Sequence, residues 1–251
     1  MARRSRGLAT LVSIAALIAT WAVAALVVAD QNTLPTPWAV GAIIWKEAAN
    51  GTLWFHLGAT LMRVVAAFVL AMSIGAVLGL ALGRSDRLNS WFDPWVLVFL
   101  NLPALVVIVL CYIWIGLNEV AAVAAVAVNK IPMVTVMIRE GARALDPALD
   151  DMGRVFRMDR IAVLRHIIAP QLAPHFASSA RTGMAIIWKI VLVVELLGRS
   201  NGVGFQIHLY FSLFDVGHVL AYALSFTAVM LAVEFWILQP IETRASKWRR
   251  A

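Results

Sequence analysis

Charge is scarce in this sequence. Only 14% of the 251 residues are Asp, Glu, Lys or Arg, and 62% are hydrophobic. A soluble domain carries about 25% charged and about 45–50% apolar residues. The deficit excludes an ordinary soluble core with a polar coat. The net charge of +7 does not point to nucleic acid either, because a nucleic-acid binder needs a charged face and this chain is mostly lipid-compatible. Cysteine is nearly missing. Cys111 stands alone in an apolar run, so an internal disulfide is excluded. The five histidines, His56, His166, His175, His208 and His218, do not fall at ligand spacing, and no metal site is inferred. There is no long repeat, no low-complexity tract, no nucleotide-binding domain and no evident nucleophile–base pair. The run Gly198-Arg199-Ser200-Asn201-Gly202-Val203-Gly204 lacks the Gly-Lys-Ser/Thr ending of a phosphate loop and reads as a flexible turn.

What the sequence has instead is long uncharged runs. Six stretches approach the roughly 20 apolar residues that a membrane-crossing helix needs: 8–29, 58–83, 95–115, 120–138, 173–197 and 219–239. They are too long for buried strands and lack the alternation of barrel strands. The expected fold is therefore all-α: one polytopic transmembrane domain over residues 1–251, with six spans. The first run follows Arg3, Arg4 and Arg6 and ends in Val27-Val28-Ala29, a sequence that a signal peptidase can cut. It is longer than a secretory h-region of about 7–15 residues, so it is expected to be retained. Lys and Arg concentrate before span one, between spans two and three (Arg84, Arg87), between spans four and five (Arg139, Arg143, Arg154, Arg157, Arg160, Arg165) and after span six (Arg244, Lys247, Arg249, Arg250). The alternate connections hold only Lys46 and Arg199. Positive flanks stay inside, so both termini are expected in the cytoplasm.

Two regions lie outside the spans. In residues 30–57, Leu34-Pro35-Thr36-Pro37 signals a helix start, and 38–49 reads as a short helix at the outer membrane surface with Trp38, Trp45 and Trp54 as interface residues. Residues 139–171 form the largest cytoplasmic piece, with Pro147 and Pro170 as boundaries. This piece is too long for a plain connection and too short for a domain, which suggests a docking element.

Polar groups inside spans are expensive and face protein, water or one another. The candidates are Arg63, Lys130, Lys189, Glu195 and Glu234. Arg63 sits about one turn inside its span, where it can snorkel outward or turn inward. Arg181 lies near the cytoplasmic side and can snorkel inward. Lys130 precedes Pro132, which removes a helical hydrogen bond beside it. Lys189 and Glu195 are six residues apart, which places them roughly 120° apart around a helix and unpaired. Lys189 is a candidate for binding an anion or for a structural ion pair. Gly75, Gly79 and Gly83 make two consecutive small-residue steps that let another helix approach closely.

Several motifs in order resemble one known family. Asp151-Met152-Gly153-Arg154-Val155-Phe156-Arg157, closing at Ala169-Pro170, is similar to the cytoplasmic loop motif of type I ABC importer permeases. It departs from the pattern at the family's glycine, here Arg157, and at its leucine, here Ala169. Without glycine, the turn lacks its most permissive residue. Further matches are Leu34-Pro35-Thr36-Pro37, Gly51-Thr52-Leu53-Trp54, Thr60-Leu61-Met62-Arg63-Val64, Asp93-Pro94 with Pro103, Trp114-Ile115-Gly116, Trp188 with Glu195, and Gly202-Val203-Gly204. The resemblance runs from about Leu34 to the C-terminus and points to the nitrate, sulfonate, taurine and bicarbonate branch.

The resemblance implies a non-enzymatic transport subunit in a bacterial inner membrane, surrounded by lipid. Paired with a second permease copy, it would pass a small anionic solute. It would bind no cofactor itself; ATP would be used by a cytoplasmic ATPase dimer, and a periplasmic binding protein would deliver the solute. The coupling loop would comprise Asp151, Met152, Gly153, Arg154, Arg157, Met158, Asp159 and Pro170, and the solute pathway Arg63, Lys130, Lys189 and Glu195. A standalone secondary transporter or channel would predict inverted repeats, and a lipid-active membrane enzyme a cluster of His, Asp or Ser. Neither pattern is visible.

Overall fold

A computed structural model describes the backbone of residues 2–245 and the side chains of residues 12–243. The elements are all helical: α1 Ala2–Val28, α2 Pro37–Ala49, α3 Thr52–Gly83, α4 Asp86–Asn101, α5 Ala104–Ile115, α6 Glu119–Arg143, α7 Pro147–Val155, α8 Arg160–Val163, α9 Ala169–Gly198, α10 Val203–Ser212, α11 Val216–Val233 and α12 Gln239–Ala245. Two π-helical turns, Leu164–Ile168 and Glu234–Leu238, join α8 to α9 and α11 to α12 without a break.

Local chemistry sets many of the boundaries. Thr36 caps α2 and Pro37 opens it, as the Pro-x-Pro signal requires. Asn118 caps α6 through a 2.9 Å bond from the Ala121 amide, with Glu119 in the first turn and Arg143 in the last, both favourable to the helix dipole. Asp146 caps α7 and Asp159 caps α8.

The third expected span is not one helix. Leu102 and Pro103 break 95–115 into α4 and α5, which meet at 96°. Proline disfavours helical geometry in the residue before it and cannot donate its own amide. By contrast, Pro132 stays inside an unbroken α6. Pro170 is not a stop. It sits in the first turn of α9, where no amide partner is needed, so the fifth helix starts four residues earlier than 173 and continues back through the π turn to Arg160. Helix α10 occupies a region to which the sequence reading assigned no element.

Among the described residues three helices are long and apolar enough to cross a membrane alone: Thr52–Gly83, Glu119–Arg143 and Val216–Thr243, with the bent pair α4–α5 as a fourth. Side-chain contacts fix the directions. Near their starts, α3 and α6 meet through Arg63 and Glu119; near their ends, Gly83 lies against Ala142. The two are therefore parallel, and α4–α5 must carry the chain back between them. Helix α9 runs the opposite way. Its Gln171 bonds Asp146 just past the end of α6, and its Glu195 bonds Arg63. Helix α11 begins beside α2, where the Tyr222 hydroxyl donates to Glu47 at 2.7 Å, and leads to Glu234, which pairs with Arg181 of α9.

The main core lies where α3, α5, α6, α9, α10 and α11 converge, with Ile108, Ile187, Val191, Tyr222 and Phe226 fully buried. The most extensive helix pair is α3 with α6, and the glycine steps explain it. A Cβ at Gly75 would stand 2.6 Å from Val134 Cβ, at Gly79 2.6 Å from the Thr135 carbonyl oxygen, and at Gly83 2.5 Å from Ala142 Cβ. The backbones touch as the small-residue pattern predicts.

Candidate functional site

Where α3, α6 and α9 meet at one end of the bundle, the charged residues of the spans form a closed network. Arg63 is only 5% exposed and does not snorkel. Its Nε and one terminal nitrogen donate to Glu119, each at 2.7 Å. The other terminal nitrogen donates to Glu195 at 2.6 Å and to the Asn201 carbonyl at 3.0 Å, and the Asn201 side-chain oxygen accepts the remaining N–H. Every guanidinium donor is used, which explains why the side chain turns inward: a buried cation is tolerable only when paired and hydrogen-bonded.

Glu195 is fully buried. Beyond Arg63 it accepts from the Thr60 hydroxyl at 2.9 Å and the Gly204 amide at 2.8 Å. The Gly202 amide donates to His56 Nδ1 at 3.0 Å, and the Val203 amide to Thr60 at 2.8 Å. Gly202 has φ +108, and a Cβ at Gly202 or Gly204 would run into Glu195. The glycine run is thus a fixed cradle for a carboxylate rather than a flexible turn. Arg199 joins from the rim, donating to Glu119 at 2.5 Å and to the Leu117 carbonyl at 2.9 Å. Arg63 and Glu195, both expected along a solute pathway, saturate each other; the network locks three helix ends together.

A second charged region lies between α9 and α11–α12. A cleft of about 530 Å³ is lined by Ser178, Arg181, Trp188, Lys189, Glu234 and Glu242 among others. Arg181 donates to Glu234 and Glu242, each at 2.7 Å, so it is bound rather than snorkelling. Lys189 is exposed to the cleft and enters no salt bridge among the described residues; its ammonium lies 5.5 Å from the Trp188 ring centre. Trp188 in turn packs edge-on against Phe226 at 5.7 Å. Lys189 and Glu195 do not pair, in keeping with their helical spacing. Lys130 is 7% exposed, buried within the bundle on α6, and does not line this cleft. The four expected pathway residues therefore fall into three places.

At the opposite end of the bundle, 139–171 is a compact helical element. Arg84 pairs with Asp150 at 2.8 Å and anchors α7 to the end of α3. Gly153 is buried and closely packed: a Cβ would stand 2.9 Å from Ile167 Cδ1, so the end of that side chain would have to shift. The turn after α7 closes without glycine. The Met158 amide donates to the Gly153 carbonyl at 2.9 Å and the Arg157 amide to the Arg154 carbonyl at 3.0 Å, a Schellman pair, with Arg157 at φ +49. A left-handed non-glycine residue costs about 1–2 kcal/mol. Asp151 pairs with Arg154 at 3.3 Å, and Asp159 caps Ala162 at 2.8 Å. Outward face Val155, Phe156 and Ile161, exposed by 78%, 73% and 73%, with Met152 at 40%.

Sequence reasoning picked out Arg63 and Glu195 by their polarity inside apolar runs. It missed the roles of His56, Thr60, Glu119 and Asn201, whose contacts join residues more than fifty positions apart. An acid opening a span, Glu119, was the one available signal.

Comparison with known proteins gives a consistent result. The profile of the family described as binding-protein-dependent transport system inner membrane component matches residues 71–239. A Bacillus subtilis (strain 168) permease protein named for aliphatic sulfonates transport, SsuC, is 27% identical over 238 residues, covering 94% of this chain and 86% of that protein. The taurine transport system permease protein TauC of Escherichia coli (strain K12) is 25% identical, covering 91% of this chain and 84% of its own. Among solved structures, an inward-facing MetNI methionine ABC transporter chain superimposes with a TM-score of 0.61 at 15% identity, covering 75% of this chain and 94% of that one. An amino acid ABC transporter chain superimposes at 0.56 and 22% identity, covering 73% and 91%. These structures share the fold.

Proposed function

The chain belongs to the family of binding-protein-dependent transport system inner membrane components and is the permease subunit of an ABC importer; from that premise we propose that, with a second permease copy, it forms the pathway for a small anionic solute such as a sulfonate or taurine. Six crossings with both termini in the cytoplasm fit the charge asymmetry and the helix directions. ATP would be bound and hydrolysed by a separate ATPase dimer, and a periplasmic binding protein would present the solute.

The observation that carries the anion reading is Lys189. Within the α9–α11 cleft it is the basic side chain left without a carboxylate, beside the aromatic face of Trp188. Arg181 is neutralised by two glutamates, and Arg63 by two others. Relatives named for sulfonate and taurine transport support the same solute class. Uptake by the complete transporter in proteoliposomes, loaded with ATP and supplied with its binding protein, tests the reading. Lys189→Ala should lower solute uptake by about tenfold, the effect of losing one partly desolvated charge contact. ATPase-subunit binding should be unaffected. Uptake at the wild-type rate would remove Lys189 from the pathway.

The element spanning Pro147–Val155 and Arg160–Val163 serves in this reading as the docking site for the ATPase. Its buried face is tied to the bundle through Asp150 and Gly153, and its exposed face is apolar where solvent contact would otherwise be unfavourable.

A further inference from the structure

The cleft between α9 and α11–α12 distributes its charges unevenly. Among the described residues its charged lining is Arg181, Lys189, Glu234 and Glu242, whose charges cancel. Yet both carboxylates are bound to Arg181. We propose that Arg181 is a second contact for the anionic solute, inward of Lys189, and that the solute gains it by displacing Glu242. The proposal rests on the reading of Lys189 as the first anion contact.

The order along the cleft comes from α9. Arg181 lies eight residues before Lys189, about 12 Å along the helix. With 139–171 on the cytoplasmic side, an anion moving inward from Lys189 meets Arg181 next. Arg181 also divides its donors between two segments. Its Nε donates to Glu234 and a terminal nitrogen to Glu242, each at 2.7 Å. The two glutamates flank the π turn Glu234–Leu238, which is closed by a bond from the Gln239 amide to the Glu234 carbonyl. A π turn is a place where a helix holds an extra residue and changes course. Glu234 opens the turn at the end of α11, and Glu242 lies past it on α12. Bending at the turn therefore withdraws Glu242 and leaves Glu234 in place. Charge balance supplies the drive. A solute anion at Lys189 gives the cleft one negative charge in excess, and like charges repel more strongly where water is partly excluded. The terminal nitrogen that Glu242 vacates suits a sulfonate or carboxylate oxygen, since one anionic acceptor replaces another on the same donor. Arg181 is 42% exposed and Glu242 29%, so water reaches the pair and the exchange strands no buried ion. The coupling is reciprocal: whatever loosens Glu242 favours the anion by the same factor.

Opening of the cleft can be read separately from transport. Cys111 is buried, so Ser178→Cys, in the cleft lining three residues before Arg181, serves as the reporter. The complete transporter in detergent would be treated with a maleimide, with ethanesulfonate as the probe anion and chloride at equal ionic strength as the control. Ethanesulfonate should speed labelling of the permease by about fivefold or more, the usual span of a coupling between two sites, and chloride should not. In the reporter background, Glu242→Gln should label fast with no anion added and Glu234→Gln slowly. Lys189→Ala should label slowly with and without ethanesulfonate. A wild-type cleft that ignores ethanesulfonate would overturn the proposal, as would an equal response to chloride. So would equal opening by Glu234→Gln and Glu242→Gln, the pattern of a purely structural clamp. Uptake in proteoliposomes adds a test of the contact itself: Arg181→Lys, which keeps the charge, should transport faster than Arg181→Gln, and equal rates would remove Arg181 from the pathway. Uptake also keeps the two readings apart. If Lys189→Ala transports at the wild-type rate, the anion reading itself fails. If its uptake falls while the reporter ignores ethanesulfonate, that reading stands and only the exchange at Arg181 is lost.

Discussion

Glu195 has no exposed surface, and its negative charge lies in a bundle built to be surrounded by hydrocarbon. Such a group persists because three donors converge on it, Arg63, the Thr60 hydroxyl and the Gly204 amide, while Asn201 accepts the remaining hydrogen bonds of the arginine. Removing one partner leaves the other charge stranded. Arg63→Ala should therefore destabilise the protein by about 3–5 kcal/mol. Replacing both charges with apolar residues of similar size, Arg63→Met with Glu195→Leu, should recover much of that loss, because no unpaired ion remains. Thermal unfolding in detergent checks the pair; a double variant no better than Arg63→Ala would show that the cradle, not the ion pair, sets the stability. Polarity alone made Arg63 and Glu195 visible as special residues. Their pairing was not legible, because 132 positions separate them and Glu195 Oε1 meets Arg63 only once α3 and α9 are packed. Arg157 is the reverse case: its departure from glycine was evident in the sequence, but only the φ of +49 shows that the turn forms regardless.

At the scale of elements, the glycines of α3 and α9 give opposite expectations. Gly79 faces the backbone of α6, and an added methyl would stand 2.6 Å from the Thr135 carbonyl. Backbone cannot swing aside as a side chain does, so Gly79→Ala should cost about 1–3 kcal/mol through overpacking. Gly183 on α9 has no atom within 4 Å of that methyl, and Gly183→Ala should stabilise by about 0.5–1 kcal/mol through helix propensity. Opposite shifts in thermal midpoint are the expected result; shifts of the same sign would contradict the packing described for one of them. The four-residue spacing of Gly75, Gly79 and Gly83 was readable as a helix seam, although its partner was not. The apolar helices Thr52–Gly83, Glu119–Arg143 and Val216–Thr243 were likewise readable from apolar length, whereas the break at Leu102–Pro103 was not: hydropathy integrates over a window and is blind to one residue that removes a hydrogen bond.

For the whole molecule, the expected topology follows from where Lys and Arg accumulate rather than from any contact. Buried Cys111 leaves a quiet background for mapping it. A cysteine at Arg87, exposed at the start of α4, should react with a membrane-impermeant maleimide only in inside-out vesicles. A cysteine at Leu117, 65% exposed beside the Arg63 network, should react only from the outer side of intact cells. Labelling of both from one side would refute the alternation of the helices. The seam between α3 and α6 has one further consequence. With three backbone contacts along its length and an ion cluster at one end, the pair is a single strut, and α7 hangs from its other end through Arg84 and the short turn after Arg143. A helix of 25 residues is about 37 Å long, so tilting it by roughly 5° shifts its far end by about 3 Å. A small push on the loop thus becomes, by leverage alone, a displacement on the scale of a solute atom at the Arg63 end.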